Sequence, residues 1–425
     1  MIKIGTFTSL VNTWLANRRT KQTIRNIERN NEARRNITRY EPSDIEGFIE
    51  RDAQVGSYII SGGISPYRSR SAASIVACSL SQNVPVVVLH EGNIDLQNTI
   101  ATATAFTNNK VIIAKNTSVY DPFYNRTNQE ICNLIINSTQ SSSGISAIGQ
   151  QYIIGIAEFI KSKNIPPFCE MFVRCPHDAL FDKIDDAVVQ GYITGQKAVQ
   201  IRNQLMQGQN ERANVQSFFS QLSYQGAGVL SNKGSRNAAV NIRTAVEHNG
   251  MLMIDIGSST NDILLNLLMN EVKEVLAAGR QIMLVLDGIN INSNDTLLKI
   301  IKSLSSRCLT TMLADDVYSM LGADDNLFHS FVGNACKCIV FSHSMGVSCN
   351  KWAEVFGYYD VDKVSQNTGT NQNYQWGYGF GSSTSISVAT NREFIVKPEE
   401  LARLSPSEVY ILDRNARELA YTTLR

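Results

Sequence analysis

Seven short apolar runs, each followed by a turn and a helix-forming stretch, constrain this 425-residue chain more than any other feature. They lie at 58–60, 84–89, 111–114, 251–256, 282–286, 309–313 and 338–341 and are rich in aliphatic, largely β-branched residues. Nearly continuous apolarity without polar alternation suits a strand covered on both faces. Helix-period stretches at 70–82, 95–107, 261–278 and 296–305 fall between the runs. This succession predicts an α/β fold with a mainly parallel sheet between layers of helix.

The succession stops between 125 and 237. There the chain is polar, rich in Gln and Asn, and helical in period at 149–163, 177–190 and 194–222, with Pro166-Pro167 and a serine tract at 141–144 as punctuation. An all-α insertion at 125–237 is expected, dividing a sheet domain at 46–124 and 238–425. Residues 364–384 intersperse Tyr374, Trp376, Tyr378 and Phe380 among Gln, Asn, Thr, Gly and Ser and read as a long loop, with aromatic rings that can stack on bases or meet a subunit.

The formal net charge of +1 gives no bulk attraction for nucleic acid. Locally the balance differs. Residues 1–40 hold nine Lys and Arg against Glu28 and Glu32, behind a start in which Ile2, Ile4, Phe7, Leu10, Val11, Trp14 and Leu15 recur at three- and four-residue spacing. A segment 1–45 of this kind is read as a basic amphipathic helix, packed on the body or laid on an anionic surface. No run of apolar residues is long enough to span a bilayer. The eight cysteines form no regular framework and read as reduced thiols of a cytoplasmic protein. Cys336-Lys337-Cys338 and Cys175-Pro176-His177 lack the second ligand pair that a metal site needs. The five histidines have no serine or cysteine partner in an elbow motif and are read as surface or packed residues.

The first run leads into Ser61-Gly62-Gly63-Ile64-Ser65-Pro66-Tyr67-Arg68-Ser69. Counted from Gly62, this is the frame of a phosphate-binding P-loop, in which glycine, four residues, glycine, lysine and serine or threonine join a strand to a helix. Such a loop holds phosphates with consecutive backbone N–H groups, a helix N-terminus and a lysine ammonium. Tyr67 stands where glycine is required, and Arg68 where lysine is required. Arginine keeps the charge but not the compact shape. Ser69 keeps a hydroxyl at the Mg²⁺ position. A second element, 282–286 followed by Asp287-Gly288, has the apolar strand and terminal Asp of a Walker-B motif, with glycine where the hydrolytic carboxylate belongs.

The order of these elements resembles the FtsK/HerA superfamily of P-loop motors, and most closely the type IV coupling proteins of conjugation and secretion. The segment from Ser235-Arg236 to Arg243-Thr244-Ala245 resembles the family's conserved stretch before its pre-Walker strand. Arg307 fits the arginine that precedes the next strand, and 331–341 the Asn-Cys-Thr-Lys strand. Residues 396–411 resemble its closing Pro-x-Glu-Leu stretch. The strand at 309–313 ends in Ala314-Asp315-Asp316, without the family's glutamine sensor.

The resemblance implies a RecA-like P-loop domain, with ATP and Mg²⁺ as cofactors. It implies nucleotide contacts from Gly62, Gly63, Tyr67, Arg68 and Ser69, a metal held by Ser69 and Asp287, and catalytic roles for Asp287 and Arg307. Departures at Tyr67, Arg68, Gly288 and Ala314 make the leading expectation a degenerate member that is a structural or substrate-recruiting part of a DNA- or protein-translocation apparatus. It would assemble with itself or in a ring with an active ATPase, at the inner face of the membrane or a secretion channel through residues 1–40. Two alternatives stand beside it: an active motor in which Arg68 replaces the lysine and Glu91 the missing base, and a non-enzymatic adaptor that binds through its helical insertion.

Overall fold

Each of the seven apolar runs forms a strand. The computed structural model describes residues 2–50, 56–114, 117–139, 145–146, 148–257, 262–303, 307–344, 346–372 and 380–425. The serine tract at 141–144 and the aromatic residues Tyr374, Trp376 and Tyr378 lie outside these, as do the side chains of residues 2–13. In chain order the strands are β1 (Ile37–Arg39), β2 (Tyr58–Ser61), β3 (Val86–His90), β4 (Val111–Ala114), β5 (Met251–Asp255), β6 (Ile282–Asp287), β7 (Cys308–Ala314), β8 (Lys337–Val340), β9 (Tyr358–Gln372), β10 (Phe380–Phe394), β11 (Glu408–Asp413) and β12 (Glu418–Thr423).

Ten of them make one sheet in the order β1-β12-β11-β8-β2-β7-β6-β3-β5-β4. From β8 to β4 every pair is parallel. The β11–β12 hairpin joins β8 antiparallel, and β1 adds to β12. One strand, β7, separates β2, which precedes the glycine turn, from β6, which ends in Asp287. That order, with the next strand β3 beyond β6, is the arrangement of RecA-like α/β domains, as expected.

Residues alternate between the two faces of each strand, and both faces are buried. Tyr58, Ile60, Val86, Val88, Met283 and Val285 point to one side, where the helices Ser65–Ser81 and Ile94–Ala103 cover them with Ala72, Ile75, Val76, Leu80, Leu96 and Ile100. Ile59, Val87, Leu89, Leu284, Leu286 and Met312 point to the other side, against the helix Asp262–Ala277 and the helix Asp325–Asn334. Helices therefore leave β2 and β7 toward opposite faces, which opens a crevice at the carboxyl ends of these neighbouring strands.

Between β4 and β5 the described residues are helical, from Asn128–Thr139 to Ile242–Glu247. The predicted stretch 194–222 is divided into Gly195–Gln207 and Arg212–Gln225, because Gly208 ends the first helix. Phe123, Ile131, Tyr152, Phe172 and Phe219 of this region belong to the same apolar cluster as the sheet. Seen from its core, the insertion is continuous with the body.

The segment 364–384 is a correction. Instead of a long loop, β9 and β10 pair antiparallel from Tyr358↔Phe394 to Gln372↔Phe380 as a separate two-stranded ribbon. Its Thr- and Ser-rich composition has β propensity, but polar residues on both faces hide the period-2 signal that marks a half-buried strand. The N-terminal basic segment forms one helix, Ile2–Arg35, whose end packs on the base of this ribbon. Asn31 donates to the Asp362 carbonyl and accepts from the Asp362 N–H, both at 3.0 Å, so its amide serves the strand edge as a neighbouring strand would. Arg34 adds an ion pair to Asp362 at 2.8 Å, and Arg35 bonds to Glu400 and the Ile395 carbonyl. No helix among the described residues is long and apolar enough to cross a membrane.

Candidate functional site

The carboxyl ends of β2, β7, β6 and β3 bring Ser61, Ala314, Asp287 and His90 to one edge of the sheet. The glycine turn leaves β2 here. Gly62 and Gly63 both have positive φ, +85° and +67°. A Cβ on Gly62 would stand 2.5 Å from the Ser342 carbonyl oxygen, and one on Gly63 2.7 Å from Phe341. Glycine is required at both positions, but by the next strand and the backbone rather than by a ligand.

The hydrogen bonds of the turn decide what it can hold. Gly62 N–H is given to the Ala314 carbonyl at 3.1 Å, and Gly63 N–H to the Ser342 carbonyl at 2.7 Å. The helix begins at Ser65, earlier than the motif frame requires, with no side-chain cap and with Pro66, which has no N–H, in its first turn. The carbonyls of Gly62 and Gly63 face the guanidinium of Arg68, whose Nη1 donates to them at 3.0 and 2.5 Å. Nη2 of the same group pairs with Asp315. A phosphate loop presents amides to an anion. This turn presents oxygens to a cation, and the cation is the chain's own.

The other expected nucleotide residues are placed accordingly. Tyr67 lies half-buried against Phe341, with ring centroids 6.4 Å apart, inside the cluster that covers the sheet. Ser69 is fully buried on the same helix, and its hydroxyl has no hydrogen-bond partner among the described residues. Asp287 is buried and accepts from Asn93 Nδ2 at 2.6 Å. Asn93 Oδ1 in turn caps the helix Ile94–Ala103 through Leu96 N–H at 3.0 Å. Glu91 lies close enough to raise the Asp287 pKa through charge repulsion, a smaller effect than burial. Arg307 stands at the start of β7, at the opposite end of the strand from Ala314, and donates to the Leu276 carbonyl at 3.3 Å. Asp287 and Arg68 are thus brought together, whereas Arg307 is not in the same crevice.

Burial is the chief cause that pushes Asp287 up to about 6, with Asn93 and the nearby Arg68 pulling it back. The raised value means that folding favours the protonated acid. Its stabilising contribution is complete below the ordinary carboxylate range and is lost as pH rises through about 6. Asp287→Asn is therefore expected to gain on the wild type as pH rises from 4 to 7, by about 2–3 kcal/mol in urea unfolding. A stability difference that stays flat over that range would remove burial as the controlling feature of Asp287.

No sequence signal linked several site residues to the turn. Ser61 Oγ accepts from Val317 N–H at 3.1 Å and donates to His343 Nε2 at 2.8 Å, while His343 Nδ1 donates to the Phe341 carbonyl at 2.9 Å. Burial lowers the His343 pKa and so favours the neutral ring that this chain of bonds needs. Both side chains are buried, so the pair fastens the turn to β7 and β8 and offers no exposed nucleophile. Asp316 accepts from Tyr318 N–H and caps a helical turn, leaving its neighbour Asp315 to meet Arg68. Only spatial proximity links Asp315, Asn93 and His343 to the turn. Among the described residues no group of three His, Cys, Asp or Glu side chains is placed to hold a metal ion.

The segment that resembles a family motif at 235–245 also has a local role. Arg236 pairs with Glu170 at 3.0 Å and Arg243 with Glu130 at 3.1 Å, while Asn241 and Thr244 form a capping box. Arg236 thus ties two parts of the insertion together, while Arg243 ties the helix Ile242–Glu247, which leads into β5, to the inserted helix Asn128–Thr139.

No family model matches the chain, and no curated protein matches it. Solved structures do. The bacterial conjugative coupling protein TrwBΔN70 in its unbound form is 12% identical, with 88% of this chain and 86% of that chain covered at a TM-score of 0.49. TrwB in complex with ADP and Mg²⁺ is 13% identical, with 91% and 89% covered at 0.48. VirB4 of Thermoanaerobacter pseudethanolicus is 10% identical, with 70% and 79% covered at 0.35. At these identities no residue role passes from those proteins to this one. The fold rests on the strand order itself, which is that of a RecA-like α/β protein.

Proposed function

We propose that this chain is a non-hydrolysing RecA-like relative of the type IV coupling proteins, acting as a structural or substrate-recruiting component of a DNA- or protein-translocation apparatus. The observation that carries the reading is the inverted polarity of the glycine turn: two carbonyls clasp Arg68, and both glycine amides are committed to neighbouring strands. ATP and Mg²⁺ do not fit this arrangement. A triphosphate would have to displace the guanidinium and turn two peptide planes that the Ala314 and Ser342 carbonyls hold. The order of motifs along the sequence supports the coupling-protein comparison. The ring and its active partner, the transported substrate, and a membrane or channel contact through residues 1–40 belong to the same proposal, as does a separately acting helical insertion at 125–237.

A fluorescent ATP analogue titrated with and without Mg²⁺ tests the reading. No saturable binding is expected up to millimolar nucleotide, and ATP should leave the melting temperature unchanged, since only a ligand above its dissociation constant stabilises the folded state. Saturable, Mg²⁺-dependent binding that is lost in Arg68→Ala would overturn it and favour the active motor.

A further inference from the structure

A groove in the inserted helices carries a charge pattern that the nucleotide turn does not use. It is a cavity of ≈ 270 Å³ between the helix Gly149–Ser162, the short helix Cys169–Val173 and the loop at 232–236. Its walls are apolar, with Ile156, Phe159 and Met171 among them, and its lining holds four cations against one carboxylate, the buried Glu170. Arg174 and Arg236 are turned inward onto Glu170, at 3.2 and 3.0 Å. Lys163 lies over the Phe159 ring, 4.5 Å from its centroid, and among the described residues neither Lys163 nor Lys233 has a carboxylate partner. Both lysines are exposed.

We infer that this groove binds an acidic peptide segment with a bulky apolar side chain. The inference rests on the reading of the chain as a recruiting component and names what that component would recruit. The cavity has room for a large side chain and is lined to take one. A carboxylate placed deep in it would meet Glu170, so the partner's negative charges belong at the rim. There the two lysines, without a carboxylate partner among the described residues, come from separate elements, the end of the helix Gly149–Ser162 and the loop at 232–236, which suits carboxylates spaced along a peptide. A phospholipid headgroup asks for cations that converge on one point, and here the converging pair, Arg174 and Arg236, is turned onto Glu170, which offsets one of its two charges.

The test uses the full-length protein and a short fluorescein-labelled peptide made of leucine and glutamate, with a leucine–lysine peptide as its counterpart. The acidic peptide is expected to bind saturably, more weakly as salt is raised, and at least about tenfold more weakly to Lys163→Glu/Lys233→Glu. The basic peptide should not bind. Both substitutions are on exposed side chains, and an unchanged melting temperature confirms that the variant is folded. Equal binding of the two peptides, no saturable binding, or binding that the variant leaves unchanged would overturn the inference. Binding to phosphatidylglycerol vesicles that the variant loses, without peptide binding, would overturn it in favour of a lipid surface. The nucleotide titration reads the turn and the peptide titration reads the groove, so either proposal can fail without the other.

Discussion

Arg126→Met is expected to lower the unfolding free energy by about 3–5 kcal/mol, the cost of breaking a buried ion pair from one side. Arg126 and Glu271 have side chains 1% and 0% exposed, with Nη2 and Oε1 2.8 Å apart. Each guanidinium nitrogen of Arg126 donates: beside Nη2, Nε bonds to the Pro122 carbonyl at 2.7 Å and Nη1 to Glu274 at 2.5 Å. The second oxygen of Glu271 accepts from the buried Tyr120 hydroxyl at 2.8 Å. This network joins the entry to the inserted helices with the helix Asp262–Ala277, which covers the sheet. Burial holds the Glu271 carboxyl above its ordinary range, and Arg126 is the main group that opposes it. Without the cation, Glu271 must ionise alone in the core or take a proton. The urea midpoint should fall with no change in slope. Arg126→Met with Glu271→Met should recover most of the loss, because replacing both charges removes the uncompensated one. A single variant as stable as the wild type would show that the network contributes nothing to folding.

The sheet was legible in the sequence because burial on both faces leaves a mark that needs no partner to be seen. The run at 111–114 is a strand with the expected ends, and the other six shift by no more than two residues at either end. What failed was the ribbon of β9 and β10. Its residues carry no apolar period because neither face of the described outer part is buried: Ser387, Val388, Ala389 and Thr390 are all exposed. The candidate site was half legible. Gly62, Gly63, Arg68 and Asp287 were identified from spacing, and they do meet at one edge of the sheet. Spacing could not tell which way the peptide planes face, and that orientation decides between an anion cradle and a cation cradle. Nor could it connect Asp315, Asn93 and His343 with the turn, which they reach from three other segments. Polar residues brought together from distant strands leave no local pattern, whereas a strand does.

Arg68→Lys restores the letter that the phosphate-loop pattern requires, and it is expected not to restore nucleotide binding. If one wrong residue were the reason for weak binding, lysine would correct it. The geometry places the reason elsewhere, in the glycine amides bound to Ala314 and Ser342 and in a helix that starts at Ser65. The same substitution should destabilise the fold. Arg68 satisfies the two turn carbonyls from one guanidinium nitrogen and reaches Asp315 with another. A lysine ammonium has one nitrogen on a stem without the planar fork, so it cannot span these acceptors together. Arg68→Met goes further and leaves both carbonyls without that donor, at a cost of about 2–4 kcal/mol from one buried and one partly buried acceptor. Arg68→Lys should fall between this variant and the wild type in urea unfolding. Asp315→Asn should change stability little, since the Asp315 side chain is 86% exposed and its charge is solvated with or without the arginine. This ordering separates the two sets of contacts that Arg68 makes. Were Asp315→Asn to destabilise as much as Arg68→Met, the exposed ion pair and not the turn would be holding the arginine. Were Arg68→Lys to bind the ATP analogue with Mg²⁺, the carbonyl-lined turn would have to open into a phosphate loop, and the loss of nucleotide binding would rest on one residue.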